Sequence, residues 1–186
     1  MKELTIRSAR PSDLDDILDL IMQLAIQEGS PEEVKITKEQ LSQALFNDDP
    51  KVFVSVVDHP EKSGRLAAFA LYWIDFPTWL GKHGLYIEDI CVTHDLRGKG
   101  IGTALMQYLA QICIERDYSR LAWWVKNDNA SAIAFYEKTG AEIKDDFTVR
   151  HLAGAELLAF STQNFSANST QVRKVNIEYL ALDKKD

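Results

Sequence analysis

Apolar and polar residues alternate from Leu4 to Arg10, the period of a half-buried strand. The period then changes. Leu14, Ile17, Leu18, Ile21 and Leu24 recur at helical spacing behind Ser12, a capping residue, while Asp13, Asp15 and Asp16 suit the positive N-terminus of a helix. Thr37-Lys38-Glu39-Gln40 is a capping box that opens a second helix through about Phe46. Val52–Val57 and Leu66–Ile74 read as strands around a turn at Pro60 and Gly64, and Leu85–Thr93 reads as a third. The glycine-rich stretch Arg97–Gly102 leads into a helix to about Arg116, with Ile101, Leu105, Leu109 and Ile112 on one face. Leu121–Val125 predicts a strand, and Asn129 caps a helix that ends before Gly140. Short strands around Ile143 and over Thr148–Leu152, then a short helix about Gly154–Phe160, complete the pattern.

This order predicts an α/β chain: a mixed central sheet of about six to seven strands flanked by helices, its parallel part joined through helices. Residues 1–160 make one domain, a size that buries a substantial core. Residues 161–186 read as an appended C-terminal extension in which Val172–Leu182 forms one more strand. No apolar run approaches the ~20 residues that span a bilayer, and the start lacks a basic region followed by an apolar one. A cytoplasmic protein without a membrane partner is expected. Cys91 and Cys113 read as free thiols, and without a CxxC or His/Cys cluster no metal is expected.

Charge narrows the partners. The net charge of −7 argues against a general nucleic-acid binder, which needs a basic face. Eleven acids and five bases fall in residues 1–50, which places −6 of the −7 there. An acidic half of this kind either concentrates a cationic substrate or is the solvated face of two helices.

Three segments carry candidate chemistry. Arg97-Gly98-Lys99-Gly100-Ile101-Gly102 follows a strand and opens a helix, where glycines admit close backbone approach and free N–H groups attract phosphate. It matches neither the Walker spacing nor the GxGxxG fingerprint. Leu85-Tyr86-Ile87-Glu88-Asp89-Ile90-Cys91-Val92 sets two acids inside an apolar run, and buried carboxylates need a partner or a task. Strand alternation puts Glu88 and Asp89 on opposite faces unless a bulge intervenes. In the third segment Asn129 caps a helix that carries Phe135 and Tyr136 two turns in.

Together these segments resemble the GNAT acetyltransferase superfamily. Arg97-x-x-Gly100-x-Gly102 is similar to its RxxGxG/A loop, and Asn129…Ala132-Ile133…Phe135-Tyr136…Gly140-Ala141 to its second motif. Within it, Ile6-Arg7, Asp16-Ile17-Leu18, Glu28, Trp79-x-Gly81-Lys82 and Leu85-Tyr86-x-Glu88-Asp89 resemble the spermidine/spermine (diamine) and thialysine acetyltransferase subfamily. Two departures stand out. The acid before Pro-Trp is replaced by Phe76-Pro77-Thr78-Trp79, leaving Asp75 the nearest acid, and residues 161–186 run past the usual family end.

The resemblance implies a GNAT fold and an enzyme, often a homodimer, that moves the acetyl group of acetyl-coenzyme A directly to a primary amine in a ternary complex. The implied acceptor is a small cationic metabolite. A polyamine or diamine comes first, with thialysine, lysine-like or other small amines as the alternative and a non-catalytic coenzyme A-binding regulator behind both. It casts Glu88 as base, directly or through a water, and Tyr136 as the acid for the departing sulfur. Ile90, Cys91 and Val92 are to pair with the pantetheine arm, which Asn129 and Ser131 flank, also near Tyr136. Arg97, Gly98, Lys99, Gly100, Ile101, Gly102 and Thr103 are to take the pyrophosphate. For the acceptor it points to Gln27, Glu28, Glu88, Trp79, Trp123, Trp124 and Asp146. Alternation lets only one of Trp123 and Trp124 face the cleft.

Overall fold

The computed structural model of the chain describes residues 4–162. Residues 1–3 and 163–186 lie outside the described residues, and with them the expected strand Val172–Leu182 and all but the start of the expected extension. The chain divides into two compact units, Met1–Ala134 and Phe135–Asp186.

The first unit is built on a five-stranded sheet in the order β1 (Ile6–Ser8), β2 (Phe53–Asp58), β3 (Leu66–Asp75), β4 (Gly84–Val92), β5 (Leu121–Trp123). The first four strands are antiparallel, and β5 joins β4 in parallel after the crossover helix α3 (Ile101–Glu115). On one face α1 (Leu14–Glu28) and α2 (Lys38–Phe46) bury Leu14, Ile17, Leu20, Leu41 and Leu45 against Val54, Val56, Phe69 and Cys91. α3 covers the other face with Ile101, Leu105, Met106, Leu109 and Cys113. Among the described residues no helix is long and apolar enough to cross a membrane.

Local chemistry sets these boundaries. Thr37 and Gln40 close the expected capping box, with Oγ1 of Thr37 accepting from the Gln40 N–H at 3.2 Å and Oε1 of Gln40 accepting from the Thr37 N–H at 2.9 Å. Ser12 does not cap α1. Pro11–Asp13 forms a 3-10 turn instead, and buried Asp13 accepts from the Arg10 N–H at 2.7 Å and from Arg7 at 2.7 and 3.1 Å. Arg7 also reaches Asp58 at 2.6 Å, so one guanidinium ties the edge strand and the helix start to β2.

The second unit, by itself, carries the last residues of α4 (Ala130–Glu137) and the helix α5 (Gly154–Thr162). The strands expected around Ile143 and over Thr148–Leu152 do not form: residues 141–153 join no ladder, so among the described residues the sheet has five strands against the six to seven expected. A strand is rewarded by burying one face, and every residue from Glu137 to Ser161 is exposed.

Candidate active site

A change of register within β4 creates the site. Tyr72 of β3 pairs with Ile87, yet Leu71 pairs with Asp89, so Glu88 is the extra residue of a β-bulge. Paired residues share a face. Trp73, Leu71 and Phe69 therefore lie with Tyr86, Asp89 and Cys91 on the α1 side, whereas Leu85 and Ile87 lie on the α3 side. Alternation from Ile87 directs Glu88 to the α1 side as well, beside Asp89.

A second break occurs between β4 and β5. Their pairing stops at Ile87–Trp123, and from Trp124 the chain turns away, so that among the described residues Asp89–Val92 pair with β3 alone. The Thr93 N–H bonds the Ala67 carbonyl at 2.9 Å, so by alternation the N–H and C=O groups of Ile90 and Val92 point to the open edge. Arg97 Nε donates to the Val92 carbonyl there at 2.9 Å. Cys91 was expected to share this edge, but its main-chain groups face β3 and its side chain is buried. An extended, amide-bearing chain fits such an edge as an added strand.

The glycine-rich segment lies just beyond. Gly98 and Gly100 hold φ of 71° and 84°, and Gly100 is the N-cap of α3. No atom would meet a Cβ at either glycine within 4 Å, so the left-handed backbone, not crowding, is what calls for glycine. The first N–H groups of α3, at Ile101, Gly102 and Thr103, lie beyond the reach of intrahelical carbonyls. With exposed Arg97 and Lys99 they form a surface suited to phosphate. The residues present therefore fit the pyrophosphate and pantetheine of coenzyme A.

Carboxylates gather at the C-terminal end of α1. Burial first, then the Glu88 and Glu28 carboxylates, push Asp89 up to about 6. No basic side chain pairs with Asp89 among the described residues. Asp75, the acid nearest to Pro77 and Trp79, is paired with Arg120. Asp89 was not among the expected site residues; its unpaired position next to Glu88 is the signal that marks it.

Aromatic rings continue the same face. Tyr86 stacks on Trp73 with centroids 4.5 Å apart and meets Trp124 edge-on at 5.6 Å. Burial and then Glu88 push the Tyr86 hydroxyl up to about 12. Trp123 pairs with Ile87, whereas Trp124, just past the end of β5, meets Tyr86. Trp79 stands 94% exposed in the turn before β4, apart from this wall.

Gln27 and Glu28 border a cavity of about 330 Å³ together with Lys126, Asp128, Asn129, Ala130 and Ser131. Asn129 Oδ1 accepts from the Ala132 N–H at 3.2 Å and from Ser131 Oγ at 3.1 Å, the expected cap of α4. Tyr136 lies on the last turn of α4, its ring 5.2 Å from that of Phe135, and Asp146 is exposed in the second unit.

Comparison with known proteins agrees with this geometry. The model of the acetyltransferase (GNAT) family matches residues 14–141. The thialysine N-epsilon-acetyltransferase of Mus musculus is 33% identical over 147 residues, 76% of this chain and 86% of the relative. The L-ornithine N5-acetyltransferase NATA1 of Arabidopsis thaliana is 27% identical over 201 residues, covering 86% of this chain and 88% of its own. An integron cassette protein from the mobile metagenome of V. cholerae shares the fold with a TM-score of 0.71 at 24% identity, over 88% of this chain and 99% of that one. The matched span holds the bulged strand, the open edge, the glycine loop and α4, and the chain belongs to the acetyltransferase (GNAT) family.

Proposed function

We propose that the chain transfers the acetyl group of acetyl-coenzyme A to the primary amine of a small cationic metabolite. The observation that carries this reading is the bulge, which sets Glu88 beside Asp89 where the open edge of β4 begins.

An alkylammonium has an ordinary pKa near ~10.4, so at neutral pH only about one molecule in a thousand can attack. Glu88, exposed at the bulge, accepts the amine proton directly or through a water. The Ile90 or Val92 N–H on the open edge donates to the carbonyl oxygen as negative charge develops on it. Acetyl-coenzyme A supplies the acyl group as a thioester. As the N–C bond forms and the C–S bond breaks, Tyr136 gives a proton to the sulfur, a role open to a phenolic O–H donor. The loop from Arg97 to Thr103 holds the pyrophosphate, and Asn129 and Ser131 flank the arm.

For the acceptor, Glu28, Glu88 and Asp89 supply negative charge, while Trp73, Tyr86 and Trp124 offer faces for methylenes or an ammonium. A polyamine or diamine suits these groups. An amino acid with a terminal amine is the second reading, favoured by a cation at Glu28 and by the thialysine and ornithine enzymes among the relatives. On family resemblance we also read the protein as a cytoplasmic homodimer, which light scattering tests for its oligomeric part. Steady-state rates with acetyl-coenzyme A against spermidine, putrescine, thialysine and lysine test the activity. Absence of acetylated product from every small amine overturns it.

A further inference from the structure

The turn between β2 and β3 is held on one side by α1. Arg65 Nε stands 3.2 Å from Asp16 Oδ1, and the same guanidinium donates to Asp19 at 3.1 Å. Asp16 Oδ2 also accepts from the Leu66 N–H at 2.6 Å. Inside the turn, buried His59 donates its main-chain N–H to the Arg65 carbonyl at 2.8 Å. Its Nδ1 accepts from the N–H groups of Glu61 and Lys62 at 3.1 and 3.0 Å. The imidazole thus shapes the turn, and its ring N–H is left to Nε2.

On the other side the turn reaches toward the glycine loop. Lys62 Nζ donates to Asp95 Oδ2 at 3.0 Å, and His59 Nε2, which makes no hydrogen bond among the described residues, faces the same oxygen at 3.6 Å. Asp95 sits in the 3-10 turn His94–Leu96, which buries Leu96, and Arg97 follows directly as the first residue of the loop. With side chains 59% and 53% exposed, Lys62 and Asp95 form a pair that adds little to stability. A carboxylate two residues before Arg97 also repels phosphate unless a cation engages it. What the contact does supply is a fixed origin for a loop in which two glycines at positive φ leave the backbone free to take other shapes.

We infer that Asp95 is a positioning residue: held by Lys62 and His59 of the β2–β3 turn, it fixes the His94–Leu96 turn from which the pyrophosphate loop Arg97–Thr103 departs. A loop ordered before its ligand arrives binds with less entropy lost. The inference rests on the reading of that loop as the coenzyme A site.

The sign of the effect separates position from charge. If Asp95 acted by charge alone, Asp95→Ala would remove a repulsion and tighten coenzyme A, while Lys62→Ala would remove an attraction and weaken it. Positioning makes both variants weaker. Calorimetry with coenzyme A gives a Kd raised about three- to tenfold in each, and by no more in the double variant, because one contact is lost in all three. Lys62→Arg keeps the wild-type Kd. The kcat/KM for S-acetylpantetheine, which lacks the pyrophosphate, stays at the wild-type value in every variant. Unchanged or tighter binding by Asp95→Ala overturns the inference, as do losses that add in the double variant. A parallel loss on S-acetylpantetheine overturns it too, since that marks a general structural defect. Should Asp95→Ala fail to fold by circular dichroism, Lys62→Ala against Lys62→Arg decides, and equal Kd values in the two overturn it. The binding measurement needs no turnover: a wild type that binds coenzyme A without acetylating any amine removes the acetyl-transfer reading and leaves this inference to the Kd values. A wild type that does not bind coenzyme A overturns both.

Discussion

Glu88 stands beside Asp89 on the α1 side of β4, although neighbours in a regular strand face opposite ways. The extra residue at the bulge removes one step of the alternation, and Asp89 in turn feels both Glu88 and Glu28. Two carboxyls next to an open strand edge can divide the work, one accepting a proton and one binding charge.

That division predicts the behaviour of Glu88→Gln. Its kcat falls, and the deficit shrinks as pH rises from 7 to 9.5, because more of the amine is then already deprotonated. pH–rate profiles of wild type and variant measure this. A defect that stays constant across the range leaves Glu88 a binding carboxylate and removes it as the base.

Asp89 carries a stability prediction whose sign follows from its raised pKa. The folded value of about 6 lies above the ordinary 3.8, so the native state holds this proton more tightly than the unfolded chain. Ionised Asp89 therefore opposes folding, with a cost that grows between pH 4 and 6 and is constant above. Asp89→Asn should stabilise the protein at pH 8 by up to about 3 kcal/mol, less in proportion to solvent screening, and by almost nothing below pH 4. Urea unfolding at the two pH values measures it. Equal effects at both would mean that Asp89 is paired in solution.

Gly100→Val should abolish coenzyme A binding in calorimetry while the helical circular dichroism signal persists. The backbone at φ of 84° strains any side chain by about 1–2 kcal/mol, so some stability is lost as well. Gly100→Ala separates the two effects: it shares the strain but reaches less far toward the phosphate site, and should keep part of the affinity. Undiminished binding in both variants would move the anion site elsewhere.

Much of this architecture was legible in the chain, and the failures have physical causes. The Thr37–Gln40 box and the stripe on α1 are local signals, and each appears where the pattern puts it. The segment Arg97–Gly102 was readable because two of its glycines serve φ values other residues avoid. The start of α1 was misread because Asp13 is claimed by Arg7, a partner from another element. The bulge at Glu88 is a property of pairing between strands and leaves no mark in β4 alone. Asp95 was overlooked for the same reason: its partner Lys62 is 33 residues away. Around Ile143 and Thr148–Leu152 the residues had the strand propensity but not a buried face to reward it.

Tyr136→Phe isolates the last proton of the reaction. Removing one hydroxyl leaves the ring and its contact with Phe135, so affinity for acetyl-coenzyme A should stay within a few-fold. Turnover should fall by about 10²-fold, the scale for loss of a general acid. Single-turnover rates with saturating acceptor measure it, and unchanged turnover would leave Tyr136 a packing residue.

The aromatic wall makes the final prediction. Trp124 is 68% exposed and holds Tyr86 by an edge contact alone, so it can be removed without opening a cavity in the core. If the wall lines the acceptor path, Trp124→Ala loses apolar and cation–π contact with the acceptor besides its edge contact with Tyr86. That should raise the acceptor KM about three- to thirtyfold, the range of a contact worth roughly 0.5–2 kcal/mol. The KM for acetyl-coenzyme A and the melting temperature should barely move. The loss should also grow with the number of methylenes between acceptor amines, since each added carbon lies against the ring. A uniform loss across chain lengths would mean that Trp124 touches only the ammonium. An unchanged acceptor KM would place the acceptor path away from Trp124, and with it the role assigned to Trp73 and Tyr86.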